Sequence, residues 1–114
     1  MAFIISWNGK KINKMDDHTI LLKEDFESLM DNSVKIHFND EYILQAEIIA
    51  VSEGMMYAES IRTPFSVVLR TDQKNQYFEQ GTYPIIHPEK GDIPVFLVPL
   101  GPDDKGMKYE AVFN

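Results

Sequence analysis

The feature that most constrains the fold is a regular alternation of apolar and polar side chains, which begins at Val34 and continues to the C-terminus. A period of two is typical of a β-strand that has one buried face. The segments that alternate in this way are 34–38, 42–50, 65–69, 83–87, 93–97 and 107–113. The pattern therefore predicts a mainly β protein.

Short polar or glycine-containing turns separate these segments, for example at 39–41, 88–91 and 101–106. Such an arrangement favours a small antiparallel β-barrel or sandwich of six to seven strands with one short N-terminal helix. We expect the last three strands to form an antiparallel meander. The segment 92–100 has apolar side chains on both faces, and this predicts a closed sheet, because such a strand has little free face.

Two further patterns refine this prediction. Ile43, Ile49 and Val51 break the alternation of the long second segment, which predicts either a β-bulge or burial of both faces at its end. One segment follows a helical period instead. Its apolar side chains fall at i, i+4, i+7 and i+8, on one stripe of a short helix that must pack on the sheet to be stable: Leu22, Phe26, Leu29 and Met30.

Residues 1–19 are predicted to form an N-terminal arm, and residues 20–114 a single β-barrel-like domain. Phe3, Ile5 and Trp7 would share one face of a strand, which the Asn8-Gly9 turn and a polar connector follow. This strand either completes the protein's own barrel or adds to a sheet of another subunit. Phe3, Ile5 and Trp7 are therefore candidate interaction residues.

Composition excludes several classes of function. A formal net charge of −7 without a basic stripe opposes nucleic-acid binding. Because the chain has no cysteine, disulfides, thiol catalysis and cysteine-ligated metals are excluded. The longest apolar run, 95–98, is too short to span a membrane as a helix, and the N-terminus lacks the basic region of a signal peptide. We expect an acidic cytoplasmic protein without a membrane partner.

The sequence offers little catalytic chemistry. Gly101 and Gly106 have the spacing of a phosphate-binding loop, but Met107 stands where that loop needs a lysine. Asp103 and Asp104 would repel a phosphate, and we expect them to cap backbone amides in a turn rather than to bind calcium.

Histidine chemistry gives no firmer indication of an enzyme. A metal-dependent enzyme would need His37, His87 and nearby acidic side chains to lie close together in the fold. The histidines are far apart in the sequence, which gives no indication of such a site. His87 continues an apolar set and is expected to close one end of the barrel. We therefore predict no enzymatic activity, no cofactor and no metal.

Tyr77 and Phe78 are the other candidate interaction residues. In a small-molecule-binding β-barrel they would form an aromatic rim; otherwise they anchor their loop to the core. The second interpretation is favoured, because buried aromatic side chains mostly pack, and a ligand cavity needs about eight strands.

From Leu22 onward the sequence resembles a family of small bacterial domains of unknown function. The matching segments are 22–26, 63–68, 80–83, 87–88, 96–101 and 106–114. The most specific of these is the C-terminal one, which follows F-L-V-P-x-G and reads G-M-K-Y-E-A-V-F-N. The resemblance covers residues 20–114, leaves the arm outside, and transfers no catalytic residue.

Members of this family are often encoded beside phage-tail-collar-like proteins, which implies a role near tail-like or fibre-forming assemblies. We therefore expect a non-enzymatic structural or accessory protein that acts through protein–protein contacts. The expected partner is a tail-collar or fibre protein, and a homo-oligomer is an alternative.

Overall fold

The computed structural model describes residues 21–30, 32–54 and 63–114. Within them it contains one helix and six strands: α1 (Glu24–Glu27), β1 (Ser33–His37), β2 (Ile43–Glu53), β3 (Phe65–Arg70), β4 (Gly81–His87), β5 (Gly91–Pro102) and β6 (Met107–Phe113). The predicted arm, with Phe3, Ile5 and Trp7, lies outside the described residues.

The six strands form a closed barrel in the order β1-β2-β3-β6-β5-β4. Every pair of neighbours is antiparallel, so the predicted antiparallel barrel and the C-terminal meander are confirmed. The shortest ladder closes the barrel, where β1 pairs with β4 through Lys35↔Ile86 and Ile36↔Ile85. Closure therefore needs no strand from the arm.

Two long, bent strands allow this closure. β2 pairs with β1 through 43–47 and with β3 through 47–53, and its register shifts between Ile48 and Ala50. β5 likewise pairs with β4 and then with β6, and its register shifts between Pro99 and Gly101. Bulges bend a strand, so each long strand can serve two sides of a small barrel. Of the two alternatives that the sequence left open for the second segment, the structure shows the bulge.

The interior of the barrel is filled by the inward set of the alternating pattern. Tyr109, Leu97, Leu69, Ile48 and Ile36 are all completely buried, and the other buried apolar residues of the strands are at most 9% exposed. Leu44, Val51 and Tyr83 are partly buried and pack against this core. The predicted inward sets of β1, β3, β5 and β6 are therefore confirmed.

Closure of the sheet was predicted because β5 has apolar side chains on both faces, and this reason is wrong. The second apolar face of β5 is not covered by the described residues, since Phe96 is 51% exposed on the outside of the barrel. The barrel closes through the bends of β2 and β5, and not because both faces of β5 need burial.

Helix α1 closes one end of the barrel. Phe26 is completely buried, and its ring centroid lies 5.3 Å from that of Phe113, 5.6 Å from that of His87 and 6.0 Å from that of Phe65. These partners come from the end of β6, the end of β4 and the start of β3. Because Phe26 fills the space between them, α1 acts as a lid.

The imidazole of His87 fastens this lid. Its Nδ1 accepts the backbone N–H groups of Glu89 and Lys90 at 3.0 and 3.1 Å, so Nε2 donates to the carbonyl of Asp25 at 2.8 Å. His87 is 2% exposed. It thus closes one end of the barrel, as expected, by joining the β4–β5 turn to the helix.

The helical stripe was only partly correct. Phe26 is buried and Leu29 packs against the core, but Leu22 and Met30 are 46% and 38% exposed. The helix proper is only four residues long, so its face is narrower than the periodicity implied. Leu21, just before the helix, also packs against the core.

Candidate functional site

The end of the barrel opposite α1 has no helical lid among the described residues. The β1–β2 turn, the end of β3 and the start of β4 meet there, because antiparallel strands alternate in direction around the barrel. The chain that connects β3 to β4, residues 71–80, lies at this end. We call it the mouth of the barrel.

A cluster of aromatic rings fills the mouth from within. Phe38 stacks on Phe78 with a centroid distance of 4.3 Å and an interplanar angle of 11°. Tyr83 and Tyr109 contact Phe38 from other sides, at 4.9 and 5.2 Å. Phe78 therefore anchors its loop to the core, as the favoured interpretation predicted.

Tyr77, the next residue back in the same loop, behaves differently. It is 60% exposed, and Tyr42, on the facing β1–β2 turn, is 47% exposed. The ring of Tyr42 lies 5.7 Å from that of Phe78. The sequence-based prediction assigned one shared role to Tyr77 and Phe78. In the structure, Phe78 anchors the loop, whereas Tyr77 and Tyr42 form the exposed rim.

Three buried or half-buried polar groups hold the loop in place. The hydroxyl of Tyr109 accepts the backbone N–H of Phe78 at 3.0 Å and donates to Oε1 of Gln73 at 2.7 Å. The hydroxyl of Thr71 also donates to Oε1 of Gln73, at 2.9 Å. Burial raises the pKa of the Tyr109 hydroxyl, which keeps it protonated and able to donate.

An open groove of about 420 Å³ lies at the mouth. Its lining consists of aromatic rings and side-chain amides: Tyr42, Gln73, Asn75, Gln76, Tyr77 and Phe78. We call this the mouth groove. Tyr42 was not among the predicted site residues, since residue 42 counted only as the first position of the alternating segment 42–50. Its place directly after the Asp40-Glu41 turn, at the rim of the barrel, was the available signal.

A second surface lies on the outside of the barrel. Leu97 pairs with Ala111, and both are completely buried, so Phe96 and Val112, each one residue away, point outward next to each other. They are 51% and 52% exposed. Pro84 and Pro94, which pair with each other, continue this surface across β4 and β5. We call Pro84, Pro94, Phe96 and Val112 the outer patch.

The two prolines limit what the strand edges can do. Neither has an N–H, so the Pro84↔Pro94 pair exchanges no hydrogen bonds, and each nitrogen faces the opposite neighbour. At these positions the ladders to β1 and β6 have ended, since β4 pairs with β1 only at 85–86 and β5 meets β6 only from Leu97 onward. The prolines therefore block strand addition there.

A charged cluster around Arg70 is structural. Nη2 of Arg70 lies 2.9 Å from Oε1 of Glu47, and Nη1 lies 2.9 Å from Oδ2 of Asp103. The hydrogen bonds to Asp103 and Glu47 raise the pKa of Arg70 against the opposing effect of burial. This cluster joins β2, β3 and the β5–β6 turn.

Asp103 also organises that turn. Its Oδ1 accepts the backbone N–H groups of Lys105 and Gly106 at 2.8 and 2.9 Å, which confirms the predicted amide cap for Asp103, one of the two aspartates to which it was assigned. The bond from Lys105, and then the bond from Arg70, lower the pKa of Asp103. A carboxylate committed to these partners is poorly placed to bind calcium.

The structure keeps the described histidines apart. His37 is on the outer face of β1, 3.4 Å from Asp40, whereas His87 is inside the barrel under the lid. Among residues 21–30, 32–54 and 63–114, no three His, Cys, Asp or Glu side chains lie close enough to hold a metal ion. His18 lies outside this range. Nor does any helix in the described part of the chain have the length and apolarity to cross a membrane.

The fold and its two surfaces define a small, lidded, filled antiparallel barrel with an aromatic groove at one end. A family model described as a domain of unknown function, DUF6916, matches residues 21–113. Because this match covers most of the chain, the protein belongs to the DUF6916 family. The expected membership in a domain-of-unknown-function family is confirmed, and the match begins one residue later than the resemblance indicated. No curated protein and no solved structure matches the chain.

Proposed function

We propose that the protein is a non-enzymatic structural or accessory protein that binds another protein through the outer patch. The observation that supports this most is the exposure of Phe96 and Val112, 51% and 52%, next to each other on the outer face of β5 and β6. Contiguous exposed apolar side chains on a small domain are typical of interaction surfaces.

The neighbours of the outer patch indicate what chemistry the partner has. Thr82 pairs with Phe96, and Ser66 pairs with Val112, so the row across four strands contains no charge. The whole chain, in contrast, carries a formal net charge of −7. The partner surface is therefore apolar and uncharged at its centre, since a charge buried there would find no counter-ion.

The proposed contact is made by side chains rather than by strand addition, because Pro84 and Pro94 remove the donors that a new strand would need. The family resemblance suggests that the partner is a phage-tail-collar-like or fibre protein. The arm would supply a second contact through Phe3, Ile5 and Trp7. This part of the proposal is supported by the described strands, which close the barrel among themselves.

The environment of the ionisable groups supports a role without catalysis. Arg70 and Asp103 are committed to each other, and His87 uses both ring nitrogens to hold the lid. Groups that are already hydrogen-bonded within the fold have little capacity left for a substrate.

The test is a pull-down between the whole chain and a phage-tail-collar-like protein, the partner that the family resemblance suggests. The double variant Phe96→Glu with Val112→Glu should lose the complex, because two charges would be buried in an apolar contact. Ile43→Glu is the matched control, since Ile43 is 48% exposed on the outer face of β2 and is not part of the patch; it should keep the complex. Circular dichroism would verify that both variants are folded.

Two results would overturn this proposal. One is a complex that survives the double charge substitution. The other is a wild-type protein that forms a dimer in light scattering and becomes a monomer on the same substitution, since the patch would then bind a second copy. Deletion of residues 1–19 tests the arm separately: weaker pull-down with unchanged folding is the expected result.

A small-molecule-binding barrel is the second candidate. An interior site has no support, because completely buried side chains fill the barrel. The specific observation that favours a ligand is the mouth groove, with its exposed tyrosine Tyr77.

A further inference from the structure

The lining of the mouth groove combines aromatic rings with side-chain amides and contains no charged residue. Of the 114 residues, 25% are charged, yet none of the six residues that line the groove carries a charge. Tyr77 and Tyr42 are 60% and 47% exposed, so part of each aromatic ring is open to solvent. An exposed aromatic face offers an apolar platform beside a polar hydroxyl.

The orientation of one amide in the groove is fixed. Oε1 of Gln73 accepts hydrogen bonds from the buried hydroxyls of Tyr109 and Thr71. Its Nε2 group must therefore face away from both hydroxyls. Among the hydrogen bonds of the described residues, neither this Nε2 group nor the side-chain amides of Asn75 and Gln76 takes part. The groove thus presents amide donors and acceptors without internal partners.

We propose that the mouth groove binds a neutral saccharide. Tyr77 and Tyr42 would lie against the apolar C–H faces of sugar rings, and Gln73, Asn75 and Gln76 would hydrogen-bond to the hydroxyl groups. A hydroxyl both donates and accepts, and so matches a side-chain amide, which offers both functions side by side. The groove volume of about 420 Å³ is typical of a site for a small ligand.

A proline-rich peptide also binds aromatic-lined grooves, and it is the main competing ligand. Its prolines present carbonyl acceptors but no N–H donors. Such a peptide would use the amide N–H groups and leave the carbonyl oxygens of Asn75 and Gln76 without a partner. The three amides therefore favour the saccharide.

This inference does not depend on the proposed protein partner, because the mouth groove and the outer patch share no residue. The experiment is an NMR titration of the ¹⁵N-labelled full-length protein with cellotetraose, maltotetraose and triacetylchitotriose, each to about 10 mM, the range in which weak millimolar binding is still detected. At least one saccharide should shift the backbone amide signals of residues 42 and 73–78.

Tyr77→Ala should weaken this binding at least about tenfold, which corresponds to the loss of one stacking contact. Phe96→Ala is the matched control, because Phe96 is an aromatic residue of the outer patch that is also more than half exposed; binding should be unchanged. Tyr77→Ala should also leave the pull-down with the collar-type protein intact, so the two proposals fail separately.

The inference would be overturned if none of the three saccharides shifted these signals. It would also be overturned if a decaproline peptide bound at the groove more tightly than any of them. Equal loss of saccharide binding in Tyr77→Ala and Phe96→Ala would place the site elsewhere and would contradict it as well.

Discussion

Aromatic side chains cluster at both ends of the barrel, but helix α1 covers the cluster at one end and only a loop crosses the cluster at the other. At the lid end, Phe26 stands among aromatic partners and is completely buried. At the mouth, Phe38 and Phe78 are stacked, but Tyr77 and Tyr42 remain on the surface. An aromatic cluster that is covered by a helix therefore contributes mainly to stability. A cluster that is crossed only by a loop leaves some of its rings exposed for recognition.

The strongest test of this comparison at the lid is His87→Leu. Leucine approximates the volume of the ring but leaves two backbone N–H groups and one carbonyl without their partner. We expect the free energy of unfolding in urea to fall by about 2–3 kcal/mol. His37→Leu is the control, because His37 is half-buried on the outer face; a change above about 0.5 kcal/mol there would be unexpected.

Loss of a buried hydrogen-bonding group at the mouth should lower the free energy of unfolding less than such a loss at the lid. Tyr109→Phe removes the hydroxyl that joins the Phe78 amide to Gln73, and we expect a loss of about 1 kcal/mol in the free energy of unfolding. Tyr83→Phe serves as the control, since its hydroxyl binds the carbonyl of Glu79 at an exposed site. If Tyr109→Phe cost as much as His87→Leu, the two ends would not differ in the way described.

The smallest expected effect concerns the charged cluster beside the mouth, and it depends on pH. The pKa of Asp103 is lower in the folded protein than its ordinary value of 3.8, mainly because its carboxylate accepts the backbone N–H of Lys105. Its contribution to stability is therefore fully present above pH 3.8 and is lost as the pH falls through the folded-state pKa. Asp103→Asn should flatten the acid side of the stability–pH profile, measured by urea unfolding at a series of pH values. An equally steep profile in the variant would show that other carboxylates dominate.

Much of this fold could be predicted from the sequence, because the inward positions are set by a period of two that one buried face enforces. The burial of Val34, Ile36, Leu69 and Tyr109 follows from that pattern. The bulge in β2 was also predictable, since a bulge interrupts the alternation of the residues themselves.

The site was less predictable, because it depends on which residues from distant segments meet at one end of the barrel. Tyr42 and Tyr77 are 35 positions apart and become neighbours of one groove only after β1, β2 and β3 have formed. The exposure of Phe96 was not predicted, for a related reason. An apolar residue on the second face of a strand gives the same sequence pattern whether that face is covered or exposed.

The difference between the two ends can be measured most directly by comparing the free energies of unfolding of Phe26→Ala and Tyr77→Ala under identical conditions. Phe26→Ala should lose about 3–5 kcal/mol, because it opens a cavity under the lid. Tyr77→Ala should stay within about 0.5 kcal/mol of the wild type, because its ring is mostly in solvent. Similar losses in both variants would contradict the account, since the mouth would then be a second core and not a surface for recognition.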